Sequence, residues 1–140
     1  MYNKNMKIIK LKEVDSTHRY IKDYILENGY REPLCILSDF QTQGIGSRGN
    51  SWIGKEGNVF FSFVFDKEFL PNDLPLQSSS IYFSYLLKDV LKQMGSKVWL
   101  KWPNDFYVND KKIGGTITTV SKNLIYCGIG INLKNVSEDF

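Results

Sequence analysis

Apolar positions fall in short runs whose spacing predicts strands and helices in mixed order. Lys7 to Val14 reads as a strand. Ser16 to Asn28 reads as a helix: Asp15 or Ser16 can cap it, Ile21, Tyr24, Ile25 and Asn28 share a face, and Gly29 stops it. Leu34 to Phe40 is a second strand. Asn58 to Phe65, NVFFSFVF, is apolar on both faces and reads as a central buried strand. After a loop over Leu70 to Pro75, Gln77 to Met94 is the clearest helix. Serines 78 to 80 offer caps, Phe83, Leu86, Leu87, Val90, Leu91 and Met94 form one stripe, and Gly95 ends it. Val98 to Trp102 is a strand closed by Pro103. Phe106 to Val108 and Ile113 to Val120 form a hairpin around Asn109–Asp110, and Leu124 to Leu133 is the last strand. Hairpins cannot supply parallel neighbours, which need a long crossover. The expected fold is α+β: a mixed, mostly antiparallel sheet with the helices packed on one side.

Composition adds bounds. A chain of 140 residues is one ordinary domain, with 42% apolar residues for a core. The net charge of +3 is mild, and Lys and Arg form no block, which argues against nucleic acid. No apolar run approaches a membrane span, and MYNKNMKIIK has no apolar signal region, so a cytoplasmic protein is expected. Cys35 and Cys127 are far apart and read as buried thiols. His18 is the sole histidine, and no metal-ligand spacing is present.

Three stretches carry candidate chemistry. In VWLKWPNDFYVNDKKIGG, Pro103 breaks the strand and leaves Asn104 and Asp105 at its end. Lys112 follows the turn, and Gly114 and Gly115 allow close approach to the backbone. Lys101, Asn104, Asp105 and Lys112 are either a cluster around an anionic ligand or solvated turn residues. In YCGIGINL, Cys127, Ile129, Ile131 and Leu133 take one strand face, leaving Tyr126, Gly128, Gly130 and Asn132 on the other. That bare face suits either a closely packed helix or a flat ligand. QTQGIGSRGNSW, Gln41 to Trp52, matches neither a dinucleotide fingerprint nor a Walker loop. It is rich in backbone N–H groups able to wrap an anion.

Together these segments resemble the biotin protein ligases. The resemblance rests on DST at Asp15 to Thr17, Q-T-x-G-x-G at Gln41 to Gly46, Trp52, KWPND at Lys101 to Asp105, KIGG at Lys112 to Gly115 and GIGINL at Gly128 to Leu133. It implies a class II synthetase-like fold and a two-step reaction using ATP and magnesium. Biotin becomes biotinyl-5′-adenylate, and a lysine of a biotin carboxyl carrier protein then takes the biotinyl group. The resemblance places Ser16, Thr17 and Gln41 at the ureido ring, with Gly44 and Gly115 also in the biotin site. Lys112 is implied as the catalytic cation between the biotin carboxylate and the α-phosphate. Arg48, Trp52, Asn104, Asp105, Gly128 and Asn132 are implied on the ATP or adenylate side, within or under a loop that covers the intermediate. No resident metal, DNA or membrane partner is expected, and a homodimer is allowed.

The sequence also departs from the family pattern. The common loop GRGRxGRxW is replaced by GIGSRGNSW, with Ser47 at the usual arginine position and Arg48 beside it. Thr119 stands where the family often has glutamate. The usual C-terminal domain does not follow GIGINL, so residues 1–140 are expected to be a catalytic domain shortened at its C-terminus. Two alternatives stay open: a biotin-binding but catalytically incomplete fragment, and a lipoate- or octanoate-type ligase of the same fold.

Overall fold

The computed structural model describes residues 6–45, 51–52 and 58–133. Its elements, in chain order, are β1 (Lys7–Val14), α1 (Thr17–Asn28), β2 (Leu34–Gln41), β3 (Gly44–Ile45), β4 (Ser51–Trp52), β5 (Val59–Asp66), α2 (Ser79–Gln93), β6 (Trp99–Lys101), β7 (Asp105–Val108), β8 (Lys111–Ser121) and β9 (Leu124–Ile131). Seven strands form one sheet in the order β1-β2-β5-β9-β8-β7-β6, and β3 pairs with β4 apart from it. Only β1 and β2 run parallel, joined by the α1 crossover; the other five pairings are antiparallel. The run NVFFSFVF is central, between β2 and β9.

Local chemistry accounts for the boundaries. Ser16 caps α1, its hydroxyl accepting from the Arg19 N–H, and Gly29 ends the helix at φ 77°. Asn109 takes the positive φ of the β7–β8 turn, as short polar side chains tolerate. The Trp102–Pro103 peptide is cis, between β6 and β7.

The sheet is mixed and mostly antiparallel as expected, but the two helices do not share a side. On β5, Val64 packs with Ile21 of α1, whereas Phe61, Phe63 and Phe65 pack with Phe83 of α2. Alternate residues of a strand point to opposite faces, so α1 and α2 lie on opposite faces. They also cover different halves: α1 lies over β2, β5 and β9, and α2 over β6 to β8. The expected apolar stripe on α2 divides as well. Phe83, Leu87 and Leu91 pack inward, while Leu86, Val90 and Met94 are exposed. Cys127 is buried, and Cys35 is half-buried.

The α2 face is dry. Phe83 meets the rings of Phe63 and Phe65 edge-on at 5.3 and 5.7 Å. On the α1 face, over β8 and β9, no helix among the described residues covers the sheet beyond the start of α1. That bare half is where the candidate site lies.

Candidate active site

The strand register lays out the floor of a cleft. On the α1 face, Ser38, Phe60, Gly130 and Gly115 form one row across β2, β5, β9 and β8. The next row is Ile36, Ser62, Gly128 and Ile117, and the next Leu34, Val64, Tyr126 and Thr119. On β9 the floor is bare over the first two rows, Gly130 and Gly128, and is closed by Tyr126 in the third. The cleft lies over the first two rows and is open to solvent.

One end is polar and neutral. The first helical N–H of α1, on Thr17, donates to Gln41 Oε1 at 2.9 Å. The Thr17 hydroxyl lies 3.3 Å from the same oxygen and 2.8 Å from Ser62 Oγ. Ser16, Thr17, Gln41 and Ser62 are all buried, so this cluster is desolvated and fixed by its own hydrogen bonds. The α1 N-terminus creates it by bringing three consecutive polar side chains against the sheet.

The other end is charged. Lys112 Nζ pairs with Asp105 Oδ1 at 3.0 Å, with side chains 41% and 25% exposed. That exposure makes the pair a weak contributor to stability. Its effect is positional: Asp105 holds the ammonium at the mouth of the cleft. Asn104 is tied to β8 instead, its Nδ2 donating to the Thr116 carbonyl and its own carbonyl accepting from the Thr116 N–H.

His18 lies between the cluster and the third row. Its Nε2 is 3.0 Å from Thr119 Oγ1, and its Nδ1 is buried without a hydrogen-bond partner. Burial, with a smaller push from the Lys22 charge, lowers its pKa to about 4, so the ring is neutral at pH 7. A Cβ on Gly128 would come within 2.9 Å of His18 Nδ1 and 3.1 Å of Ser62 Oγ. Of the two reasons left open for the bare strand face, close packing from α1 therefore accounts for Gly128.

The cleft lining brings together Ser16, Thr17, Gln41, Asn104, Asp105, Lys112, Gly115 and Gly128. Gly44 and Asn132 do not line it; Gly44 is buried in β3, and the Asn132 side-chain oxygen is buried without a partner beyond the end of β9. Lys101 turns away, its ammonium 5.2 Å from the centre of the Tyr107 ring. Arg48, Ser47 and Asn50 lie outside the described residues, as does the Trp52 side chain; the Trp52 backbone pairs with Gly44. The sequence reading missed His18, Ser62 and Ile117. Ser62 had one signal, a lone hydroxyl in the apolar run NVFFSFVF. Among the described residues, no group of three or more His, Cys, Asp or Glu side chains is placed to hold a metal, and no helix is long and apolar enough to cross a membrane.

A model of the biotin/lipoate A/B protein ligase family matches residues 11–133. The chain belongs to this family. It is 31% identical over 135 residues to the bifunctional ligase/repressor BirA of Salmonella typhimurium, a match covering 90% of this chain and 41% of that protein. It is 33% identical over 133 residues to biotin–protein ligase 2 of Arabidopsis thaliana, covering 87% and 39%. The chain thus spans about two-fifths of the length of these curated relatives. Among solved structures, biotin acetyl coenzyme A carboxylase synthetase from Helicobacter pylori, with bound biotinylated ATP, superposes with a TM-score of 0.88 at 41% identity, covering 91% of this chain and 61% of that one. Biotin protein ligase from Aquifex aeolicus, in complex with biotin and ATP, gives 0.73 at 32%, covering 90% and 52%. A lipoate protein ligase from Thermoplasma acidophilum, at 14% identity and a TM-score of 0.65, shares the fold alone. In this family member the cleft draws motif residues from Ser16 and Thr17, Gln41, Asn104 and Asp105, Lys112 and Gly115, and Gly128.

Proposed function

We propose that residues 1–140 form a biotin ligase catalytic domain that activates biotin with ATP and transfers it to a lysine of a biotin carboxyl carrier protein. One observation carries this reading: a single cleft has a desolvated hydrogen-bonding cluster at one end and a held ammonium at the other. A ureido ring has two N–H donors and a carbonyl acceptor that need partners when buried, and Ser16, Thr17 and Gln41 supply such groups. The carboxylate of the same molecule then points towards Lys112.

In the first step a biotin carboxylate oxygen bonds to the α-phosphorus of ATP, and the bond from that phosphorus to the bridging oxygen of pyrophosphate breaks. Both reactants are anions, so a fixed cation between them lowers their repulsion and stabilises charge on the phosphoryl oxygens. Lys112 has that role, and Asp105 orients it. In the second step the carrier amine attacks the acyl carbon of the adenylate, AMP leaves, and the amine proton is lost to solvent. No protein nucleophile is needed. Asp105 is the one carboxylate in the described cleft lining, and it is already paired. The residues therefore do not fit a resident metal, and magnesium belongs with the phosphates of its nucleotide substrate.

The test is exchange of labelled pyrophosphate into ATP, driven separately by biotin, lipoate and octanoate. Biotin-driven exchange is the expected result. Biotin binding without exchange would identify a binding module, and exchange with lipoate alone would end the biotin assignment. Transfer is read by incorporation of biotin into a carrier domain.

A further inference from the structure

Asn104 and Thr116 meet at the start of β7, one step past the Asp105–Gly115 pair. A hydrogen-bonded pair in a regular antiparallel ladder closes with two backbone bonds, one from each N–H. Here the Thr116 N–H donates to the Asn104 carbonyl at 3.0 Å, and the Asn104 side chain supplies the return bond, its Nδ2 donating to the Thr116 carbonyl at 2.7 Å. Asn104 thus grips one residue of β8 at both of its backbone groups. The family resemblance puts Asn104 beside the nucleotide; these two bonds run to the sheet instead.

The grip matters because the ladder beside it is broken. Tyr107 and Val108 pair with Lys112 and Lys111, whereas Asp105 and Phe106 pair with Gly115 and Gly114. The register shifts between Phe106 and Tyr107, and Ile113 is the extra residue of this bulge. Lys112 stands on the hairpin side of the bulge and Asp105 on the far side, yet their side chains meet at 3.0 Å. A pair this exposed is too weak to fix its own geometry. The hairpin side is held by the tight turn at Asn109, but a bulge does not carry that register across to Asp105. On its other flank β7 meets only β6, three residues long and at the edge of the sheet. Resting on the biotin reading, we propose that Asn104 is a positioning residue: its clamp on Thr116 fixes the start of β7 and so sets Asp105 where it holds the Lys112 ammonium for the reaction.

The experiment is a double-mutant cycle on biotin-driven pyrophosphate exchange, measured per folded molecule for Asn104→Ala, Asp105→Ala and the two together. Asn104→Ala is expected to lower kcat about tenfold and to leave the KM for biotin within about twofold of wild type. Asp105→Ala should lower kcat at least as far. Adding Asn104→Ala to it should change kcat by less than about twofold, because the residue through which Asn104 acts is already gone. An equal loss in both backgrounds would give Asn104 a role of its own at the substrates and overturn the inference, as would an Asn104→Ala kcat within about twofold of wild type. Asn104→Leu, which keeps the bulk and loses the donor, repeats the cycle if the alanine variant folds poorly. One measurement needs no variant. In the unaltered protein the Asn104 side-chain amide proton should exchange with solvent more slowly than that of a free asparagine; exchange at the free rate overturns the clamp. A wild-type chain without biotin-driven pyrophosphate exchange defeats the ligase reading and the inference with it, whereas additive losses in an active chain defeat the inference alone.

Discussion

Along β5, Phe61, Phe63 and Phe65 point to one side of the sheet, and Phe60, Ser62 and Val64 to the other. The first set stacks on itself and meets Phe83 of α2 with no polar atom among them. The second set includes a hydroxyl joined to Thr17 and, through it, to Gln41. β9 repeats the contrast, with Ile125, Cys127, Ile129 and Ile131 on the α2 face and Tyr126, Gly128 and Gly130 opposite. One pair of strands therefore builds an apolar core and a polar-lined cleft back to back. The apolar face supplies stability without chemistry. The cleft face gives up burial at Gly115, Gly130 and a set of hydroxyls, and leaves an open floor there. If this division is right, substitutions on the two faces should change different observables.

The largest separation is expected at Lys112. Lys112→Ala should cut biotin-driven pyrophosphate exchange about a thousandfold, equivalent to roughly 4 kcal/mol of barrier. The melting temperature should hardly move, because the Lys112–Asp105 pair is partly exposed. Exchange surviving within tenfold, or a collapse in melting temperature, would assign Lys112 to the structure instead. The converse substitution is Phe83→Ala. It removes a buried ring from the centre of the aromatic cluster and should cost about 3 to 4 kcal/mol, read by urea or thermal unfolding. Exchange per folded molecule, measured well below the melting temperature, should stay near the wild-type value.

His18 tests the comparison through pH. Its folded-state pKa of about 4 is below the ordinary 6.5, because burial opposes the charged ring. The unfolded chain therefore binds the extra proton first as pH falls. The stability contributed by the neutral ring is complete above about pH 6.5 and is lost progressively down to about pH 4, on the order of 3 kcal/mol in all. Unfolding free energies at pH 7 and pH 5 should show this slope in the wild-type chain and a flatter one in His18→Gln. Equal slopes would mean that the imidazole is not buried as a neutral group.

These contrasts were legible in the sequence to unequal degrees. The alternation in YCGIGINL separated the two faces of β9 correctly, because strand periodicity is local and survives any tertiary arrangement. The stop at Gly29 and the turn at Asn109 were legible for the same reason. The side each helix takes was not. It depends on the order β2-β5-β9-β8, which brings distant segments together and leaves no local trace. Leu86, Val90 and Met94 mimic a buried stripe by spacing alone, yet α2 turns Phe83, Leu87 and Leu91 inward. Within the site, motif residues were readable as a set, while Ser62 and His18 were not. Each looks like an isolated polar residue until Gly128 is placed between them.

Gly114 and Gly115 give the finest test, since in sequence they are a matched pair. A Cβ on Gly114 would run into the Gly130 carbonyl oxygen of β9, so that glycine is required by strand contact. A Cβ on Gly115 would lie 3.5 Å from the Asn104 carbonyl oxygen and 3.5 Å from Asp105 Oδ1, which is ordinary contact. Nothing in the backbone therefore forbids Gly115→Ala. Restricting the unfolded chain should make it neutral to slightly stabilising, by about 0.5 kcal/mol. The added methyl would enter the cleft beside the Lys112–Asp105 pair, so the KM for biotin in pyrophosphate exchange should rise a fewfold even as the melting temperature holds or rises. That opposite movement of stability and substrate binding is what a glycine kept for ligand space predicts. A parallel loss of both would show that Gly115, like Gly114, is kept by the sheet.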